Sequence, residues 1–370
     1  MALPKVTVCG AGAAGTAIAA DVALKGIPVT LFELKLLKST VEEIRTQGGI
    51  ELTADSKTTS GKTGFARLEK ITTDPKEAVE DADGIMITCP AMHHGAFFDV
   101  IAPHLKPGQV VLFNTGYWGS LRFARRLRDM GAFDDVTLAE TNIMPYLSKR
   151  VGPCITKIFN SKRIMRFAAF PGNRTDKAFS ILSPTYTEFE KAPNVLWTNI
   201  AAGGNQCIHV QLALPIMGYV FDRYMGCKFY TEATLQFARL SAAYDREREP
   251  VAKRLGCTEI ETGPQWAEQA YGYKGKDLGE AFRKSEHADR YSPLASLDRV
   301  LDEDISYAFV PLTRLADKLG LPMPITKGMV EVTSVMLDKD YWKMGVTLEQ
   351  LGLNGLDADG IMRYAQEGRT

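Results

Sequence analysis

The pattern of apolar and polar positions divides this chain of 370 residues into two halves. In the first half, short β-prone runs alternate with helical segments and polar loops, as is typical of parallel strands buried on both faces of a sheet. These runs lie at 5–9, 29–32, 82–89 and 109–113. From about Leu196 the apolar residues recur with helical spacing instead, and β-prone runs become rare. The pattern predicts an N-terminal α/β domain over 1–196 and an all-α C-terminal domain over 197–370.

A glycine-rich turn joins the first predicted strand to a helix of small residues. Its glycines are Gly10, Gly12 and Gly15, with Ala13 and Ala14 between the last two, and the predicted helix runs from Thr16 to Lys25, where Gly26 closes it. The first glycine suits a tight turn, the second lets the backbone approach a pyrophosphate, and the third lets the helix lie close to the sheet. The N–H groups of the first helical turn then face the phosphates. A second strand follows in the correct order, so the motif predicts a Rossmann-type, doubly wound parallel sheet that binds a dinucleotide.

An acidic residue, Glu33, ends the second predicted strand, 18 residues after Gly15. A carboxylate at this position accepts hydrogen bonds from the hydroxyls of the adenosine ribose, and it repels a 2′-phosphate. Glu33 therefore favours NAD over NADP as the cofactor. The nearby Lys35 and Lys38 are suited to holding a 2′-phosphate, which keeps NADP open, and a surface acid that merely ends the strand is the plainer alternative.

Polar residues follow the later strands of the first half. Ligands of open α/β sheets bind beyond the carboxyl ends of the strands, so we expect Pro90 and Asn114 to contact the cofactor there. The segment 140–142 occupies a similar position after a further run. His93 and His94 are candidate acid–base groups, but two adjacent histidines after a strand more often serve the structure of the loop.

In the second half, one histidine falls within an apolar stripe. His209 shares a helical face with Asn205, Leu212, Ala213 and Ile216, which recur at the spacing of one side of a helix. It is therefore predicted to lie on an apolar face of a helix that opens near Asn205. Periodicity alone is equally consistent with a buried core histidine and with a catalytic one.

A cluster of acids around 302–304 provides candidate partners for such a histidine. If this segment is helical, its core stripe is Leu301, Ile305, Ala308, Leu312 and Leu315. Glu303 then points away from the core, as a solvated acid, while Asp302 and Asp304 flank the stripe on opposite sides. A carboxylate beside a buried histidine orients the ring for proton transfer. Periodicity does not choose between the two aspartates, and Pro311 is expected to kink or interrupt the helix.

Composition narrows the classes of function. The 44 Lys and Arg residues balance 44 Asp and Glu residues, which argues against general nucleic-acid binding. No apolar stretch is long enough to span a bilayer, so we expect no membrane partner. The six cysteines form no CxxC pair and no metal-ligand spacing with the histidines, which predicts no metal site and a cytoplasmic, reducing location.

Taken together, these motifs resemble the opine dehydrogenases of the octopine, nopaline and N-(1-carboxyethyl)norvaline types. The resemblance runs nearly end to end, and the later elements are more specific than the glycine motif. The elements that carry it are 10–15, 89–94, Asn114-Thr-Gly, Glu140-Thr141, Asn205 to His209, Arg299 to Asp304, 309–312 and 347–356.

The resemblance implies an enzyme in which an α-keto acid condenses with an amine or amino acid, and NAD(P)H reduces the imine to a secondary amine. It implies His209 as the proton donor and acceptor, Asp304 as its orienting carboxylate, and Arg299 as the group that binds the keto-acid carboxylate. Thr141 is a weaker match for a hydroxyl near that carboxylate. A cleft between two domains and a homodimer are further implications of the resemblance.

The amine site is the part in which the family varies. Trp266, Tyr271 and Tyr273 either line an amine pocket or simply pack, and Tyr117 with Trp118 stands where relatives carry smaller residues. Two alternatives to an opine dehydrogenase remain. One is another two-domain NAD(P)-dependent 2-hydroxy- or keto-acid dehydrogenase, ketopantoate-reductase-like, which would use a lysine for proton transfer. The other is a non-catalytic NAD-binding sensor, which would be expected to lose the dyad or Arg299.

Overall fold

The computed structural model describes residues 3–221, 226–286 and 288–369. The chain forms two compact units, one comprising the residues up to Thr198 together with Ala365–Arg369, the other Asn199–Tyr364. The predicted second domain included all of 197–370. The division instead falls after Thr198, and the last described residues belong to the first unit.

The strands all lie in the first unit as far as the described residues go. They are β1 (Val6–Cys9), β2 (Val29–Phe32), β3 (Gly49–Ala54), β4 (Gly64–Arg67), β5 (Lys70–Thr72), β6 (Gly84–Ile87), β7 (Val110–Phe113), β8 (Thr137–Thr141), β9 (Tyr146–Gly152), β10 (Ile155–Ser161), β11 (Met165–Phe170) and β12 (Phe189–Lys191).

The helices occur in both units. They are α1 (Ala13–Leu24), α2 (Ser39–Gln47), α3 (Pro75–Val79), α4 (His94–Ile101), α5 (Gly119–Asp129), α6 (Thr175–Leu182), α7 (His209–Ala213), α8 (Met217–Phe221), α9 (Leu235–Arg254), α10 (Gly263–Tyr271), α11 (Leu278–Arg283), α12 (Leu294–Asp304), α13 (Val310–Lys318), α14 (Pro324–Leu337), α15 (Tyr341–Met344) and α16 (Ala358–Glu367).

The larger sheet of the first unit runs in the order β12-β11-β8-β7-β6-β1-β2-β5. The strands from β8 to β5 are parallel, whereas β11 is antiparallel to β8. Strand β1 lies between β2 and β6, so the chain reverses its direction of winding at β1. In sheets of this kind the ligand crevice lies at that reversal, beyond the carboxyl ends of the strands.

Helix α1 lies between this sheet and a smaller one in the order β4-β3-β10-β9. Residues Ala17–Ala20 have no exposed surface, because both sides of the helix are covered. A helix enclosed in this way does not need a polar face, which explains its run of small apolar residues. The close packing sets the position of the turn that precedes it.

The second unit is helical among its described residues. The predicted core stripe is confirmed, since Leu301, Ile305, Ala308, Leu312 and Leu315 are all buried. Of the two effects expected of Pro311, a kink or an interruption, the structure shows an interruption of the α-helix. Helix α12 ends at Asp304, the wide π-type turn Ile305–Phe309 follows, and α13 begins at Val310. A proline fits at this start because the first-turn N–H groups of a helix have no intrahelical partner.

Two other expectations for this unit are corrected by the structure. The helix that opens at Asn205 is a 3₁₀ helix over Asn205–Cys207, and the α-helix α7 begins only at His209. Glu303 is not a solvated acid, since only 8% of its surface is exposed.

Candidate active site

The glycine turn of the first unit has the geometry that a dinucleotide requires. Gly10 adopts a φ of +105°, which favours glycine. A Cβ atom on Gly15 would lie 1.7 Å from the carbonyl oxygen of Gly10, so only glycine allows α1 to approach β1 this closely. A Cβ on Gly12 would meet no described atom within 4 Å, so the space beside this residue is open. Gly12 is the N-cap of α1 and supplies no side-chain acceptor to the first-turn N–H groups of Ala13 and Ala14.

Glu33 lies at the end of β2, and 4% of its surface is exposed. The Ala11 N–H donates to Glu33 Oε2 and the Leu34 N–H donates to Oε1, each at 2.8 Å. Burial raises the pKa of this carboxyl, while the two N–H donors and Arg150 act in the opposite direction. Glu33 therefore fastens the glycine turn to β2, in addition to any contact with a ribose. Sequence reasoning missed this bond, because it depends on how the two turns face each other.

Two of the predicted residues meet where β7 and β8 end, since Asn114 follows β7 and Thr141 is the last residue of β8. The Thr141 hydroxyl donates to Asn114 Oδ1 at 2.8 Å and also lies 3.0 Å from the carbonyl oxygen of Ile143. Asn114 is 1% exposed, and its Nδ2 has no hydrogen-bond partner among the described residues. A buried amide donor without a partner is costly and fits a site completed by a ligand. Pro90 lies half-buried after β6 and caps the short turn Ala91–His93.

The remaining candidate residues of the first unit are less suited to take part directly in the reaction. Tyr117 and Trp118 are buried, with 6% and 1% exposure, so they pack within this unit. His94 is fully buried against Phe113, and burial lowers its pKa well below the usual value. A backbone hydrogen bond with Cys89 acts in the opposite direction on this pKa. His93 is exposed on the adjoining turn. The structural interpretation of this histidine pair is therefore the better one.

The second unit brings His209 and Asp304 together. His209 Nδ1 lies 2.9 Å from Asp304 Oδ2, and the two residues are 8% and 1% exposed. With Asp304 ionised, Nδ1–H donates to the carboxylate, which fixes the ring and leaves Nε2 to exchange a proton with a substrate. Helix α7 supplies the histidine and the last residue of α12 supplies the acid.

The alternative acid, Asp302, has a different environment. Lys339 Nζ donates to both of its oxygens, at 2.8 and 2.9 Å, and Tyr341 Oη donates at 2.6 Å. Asp302 thus connects α12 to Lys339 and to Tyr341 of α15. Of the two aspartates, only Asp304 is hydrogen-bonded to His209. The geometry resolves a choice that the helical periodicity left open.

Arg299 lies on α12, slightly more than one turn before Asp304. Its Nη1 donates to Glu303 Oε2 at 2.8 Å, and the arginine side chain is 46% exposed. A guanidinium carries five N–H donors, so this pair orients the group without exhausting it. The i,i+4 spacing of Arg299 and Glu303 was a signal for this bond that the sequence interpretation did not use.

An aromatic cluster adjoins the dyad. Trp266 is fully buried and meets Tyr271 edge-on, with ring centres 5.3 Å apart, and Tyr271 stacks on Tyr273 at 4.9 Å. Trp266 Nε1 has no hydrogen-bond partner within the described parts of the chain. Sequence reasoning missed Tyr230, whose Oη lies 3.4 Å from His209 Nε2. No local motif marks this tyrosine, because the contact joins it to His209 of α7, 21 residues earlier in the chain.

Comparison with known proteins assigns the family. Residues 191–337 match the model of the α-helical domain of NAD/NADP octopine/nopaline dehydrogenases, and 6–122 match ketopantoate reductase PanE/ApbA. The opine dehydrogenase of Arthrobacter sp. (strain 1C) is 30% identical to this chain over 359 residues, which is 96% of each protein. This chain belongs to the opine dehydrogenase family. The protein ocs of Agrobacterium tumefaciens (strain Ach5) is 24% identical over 98% of this chain and 99% of its own.

Solved structures share the fold. Octopine dehydrogenase with NADH and pyruvate matches with a TM-score of 0.78 at 18% identity, covering 99% of this chain and 98% of its own. Yersinopine dehydrogenase with NADP⁺ bound matches with a TM-score of 0.70 at 15% identity, with the same coverage. The predicted fold class, a Rossmann-type sheet followed by a helical domain, is confirmed.

Family membership makes the chain an NAD(P)-dependent oxidoreductase that acts on CH–NH bonds, through reductive condensation of a keto acid with an amino group. This sets aside the ketopantoate-reductase-like and non-catalytic alternatives for the whole chain. Within the described residues, no helix is long and apolar enough to cross a bilayer, and no group of three metal-ligating side chains occurs.

Proposed function

We propose that this opine dehydrogenase joins a pyruvate-like α-keto acid to the amino group of an amino acid or amine, with His209 and Asp304 as its proton-transfer pair. The observation that carries the assignment is the 2.9 Å contact between His209 Nδ1 and Asp304 Oδ2 in a buried setting. This contact directs Nε2 toward substrate. The proposal also agrees with the name of one relative, the opine dehydrogenase of Arthrobacter sp. (strain 1C).

The chemistry assigns His209 the proton transfers of the condensation. In the reductive direction, the amine nitrogen attacks the keto carbon, and the protonated Nε2 of His209 protonates the oxygen that develops negative charge. The nitrogen, which carries a positive charge after the addition, returns a proton to Nε2. Nε2 then gives this proton to the hydroxyl group, which leaves as water and yields the protonated imine. Asp304 stabilises the charged ring throughout, which is the general role of a carboxylate behind a catalytic histidine. NAD(P)H, when bound, supplies the hydride that reduces the imine carbon.

The cofactor is proposed to bind at the glycine turn of the first unit. The open space beside Gly12 and the uncapped first turn of α1 suit a pyrophosphate, and Glu33 suits a ribose. Asn114 Nδ2 is a buried donor whose partner would be the cofactor or the substrate. NAD is the proposed cofactor, because the buried carboxylate of Glu33 opposes a 2′-phosphate.

The substrate contacts are proposed from residues of the second unit near the dyad and from Thr141 of the first unit. Arg299 would bind the keto-acid carboxylate through its planar fork of donors, and the pair with Glu303 orients that fork. Thr141 is assigned the weaker hydroxyl contact. Tyr271 is proposed to form part of the wall against which the amine's side chain packs, and the fully buried Trp266 supports its ring from behind. Tyr117, which is buried in the first unit, would shape its own surroundings rather than contact the amine directly.

The test is a panel of keto acids and amines assayed for NADH oxidation, with His209→Ala as the diagnostic variant. We expect oxidation to require both substrates, and His209→Ala to abolish turnover while NADH binding, measured by fluorescence, is retained. Full activity with a keto acid alone would identify a 2-hydroxy-acid dehydrogenase instead. Near-normal turnover of His209→Ala would remove the dyad from the mechanism.

A cytoplasmic homodimer completes the proposal. The six cysteines are free thiols, which suits a reducing compartment. One face of α14 exposes apolar side chains at helical spacing, which suits a contact with a second copy. These side chains are Ile325, Val332, Val335 and Met336. Light scattering should give twice the chain mass, and Val335→Asp should give monomers. A monomeric wild-type protein would contradict this part of the proposal.

A further inference from the structure

The nitrogen that exchanges protons with substrate, His209 Nε2, already has a neighbour. The hydroxyl oxygen of Tyr230 lies 3.4 Å from it, while Nδ1 on the other side of the ring is bonded to Asp304. A separation of 3.4 Å is long for a direct hydrogen bond. It is, however, short enough for a protonated Nε2 and the hydroxyl to donate to one common acceptor, at about 2.8 Å from each.

Packing and local bonds hold Tyr230 at this position. Its ring stacks on Phe282, with centres 5.2 Å apart and planes 18° from parallel. The preceding residue, Phe229, is 2% exposed, and its ring centre is 6.3 Å from that of His209. The segment is fastened by paired backbone hydrogen bonds between Cys227 and Ser292, at 2.8 and 3.1 Å. Removing the hydroxyl alone would leave this packing in place.

We propose that Tyr230 is a further catalytic residue, whose hydroxyl and the protonated Nε2 of His209 together form a two-donor site for the keto oxygen of the substrate. This inference rests on the proposed function of His209. As the amine attacks the keto carbon, negative charge develops on that oxygen, and both donors stabilise it. The proton that the oxygen receives comes from Nε2, and Tyr230 donates only a hydrogen bond and keeps its own proton.

The hydroxyl keeps that proton across the working range. Burial raises the pKa of Tyr230 to about 12, with Arg290 acting in the opposite direction. Tyr230 is therefore a neutral donor near neutral pH, which is the state the two-donor site needs. A preorganised donor aimed at a developing oxyanion is worth far more in the transition state than in the bound substrate.

The experiment compares Tyr230→Phe with Tyr291→Phe in the full-length enzyme, with pyruvate and an accepted amino acid as substrates. Tyr291 is in the same unit and is 63% exposed, so its variant controls for loss of a phenol hydroxyl. For Tyr230→Phe we expect kcat to fall about 10- to 100-fold, while the KM values for pyruvate and NADH change less than about three-fold. The melting temperature should stay close to that of the wild type, because the ring and its stacking remain. Tyr291→Phe should retain wild-type kcat.

The outcomes separate this inference from the proposed function. If His209→Ala is inactive but Tyr230→Phe keeps kcat within about two-fold of wild type, Tyr230 has no role and the dyad stands. If the KM for pyruvate rises with kcat unchanged, Tyr230 binds the ground state only, and the two-donor site is overturned. If His209→Ala remains active, the proposed function fails whatever Tyr230 does.

Discussion

Replacing Asp304 by asparagine tests the proposed dyad with little change in shape. The carboxylate is 1% exposed and lies 2.9 Å from His209 Nδ1. An asparagine at this position keeps the size of the side chain but removes its charge. It can also present an N–H group to Nδ1, which would reverse the tautomer and leave Nε2 as the protonated nitrogen in the neutral ring.

The hydrogen bond between His209 and Asp304 determines how far kcat should fall in this variant. A hydrogen bond to a charged group contributes about 1.5–3 kcal/mol, and it is needed most when the imidazole is charged. At about 1.36 kcal/mol for each factor of ten in rate, kcat should fall about 10- to 150-fold. NADH affinity should not change, because the glycine turn and Glu33 belong to the other unit.

Asp302→Asn is the matched control, two residues away on the same helix. That aspartate bonds to Lys339 and Tyr341 rather than to His209. Its variant should lower the melting temperature, with kcat per folded enzyme close to wild type. We would measure kcat by steady-state NADH oxidation, NADH affinity by fluorescence titration and the melting temperature by thermal unfolding. The reasoning is refuted if Asp304→Asn keeps kcat within about three-fold of wild type, or if Asp302→Asn loses as much kcat as Asp304→Asn.

Four other predictions concern charge and burial. Glu33→Ala should lower the preference for NADH over NADPH at least about ten-fold in dissociation constants, and an unchanged ratio would remove Glu33 from the ribose site. Because burial raises the pKa of Glu33, its charge is lost at higher pH than for an ordinary glutamate, so in the wild type the same preference should weaken as the pH falls below neutral. Arg299→Lys should raise the KM for the keto acid about ten-fold or more, since lysine lacks the planar fork; an unchanged KM would contradict that role. Burial raises the pKa of Cys207 and Cys257 to about 12, so alkylation at about pH 8 should spare both in the native enzyme, and rapid labelling would contradict their burial.

The features that the sequence predicted well are set by local rules. Gly10 and Gly15 could be assigned from spacing, because a tight turn and a close helix–strand approach each exclude a side chain. The core stripe through Leu301 and Leu315 followed from helical periodicity, which survives the wide turn in its middle. Fold class followed in turn from the contrast between β-prone runs and helical spacing.

The candidate site was less accessible to sequence reasoning, because its contacts join distant segments. His209 and Asp304 are 95 residues apart, and no periodicity reports which of two nearby aspartates turns toward the histidine. Glu303 was expected in solvent because helical spacing ignores what packs against the outer face. Tyr230 follows no motif, and its place beside Nε2 depends on the position of Phe282.

The wide turn Ile305–Phe309 links these observations. It begins directly after Asp304 and ends just before the helix that contains Pro311. A proline has no N–H to donate to the carbonyl of Tyr307, four residues earlier, so a regular α-helix through this segment would lose a bond. The wider turn avoids the need for this hydrogen bond and keeps Ile305 in the core. It also makes Asp304 the last regular α-helical residue, fixed by α12 on one side and by the wide turn on the other. Wide turns of this kind often occur at functional sites, and here the turn begins directly after Asp304, the residue proposed to orient the histidine.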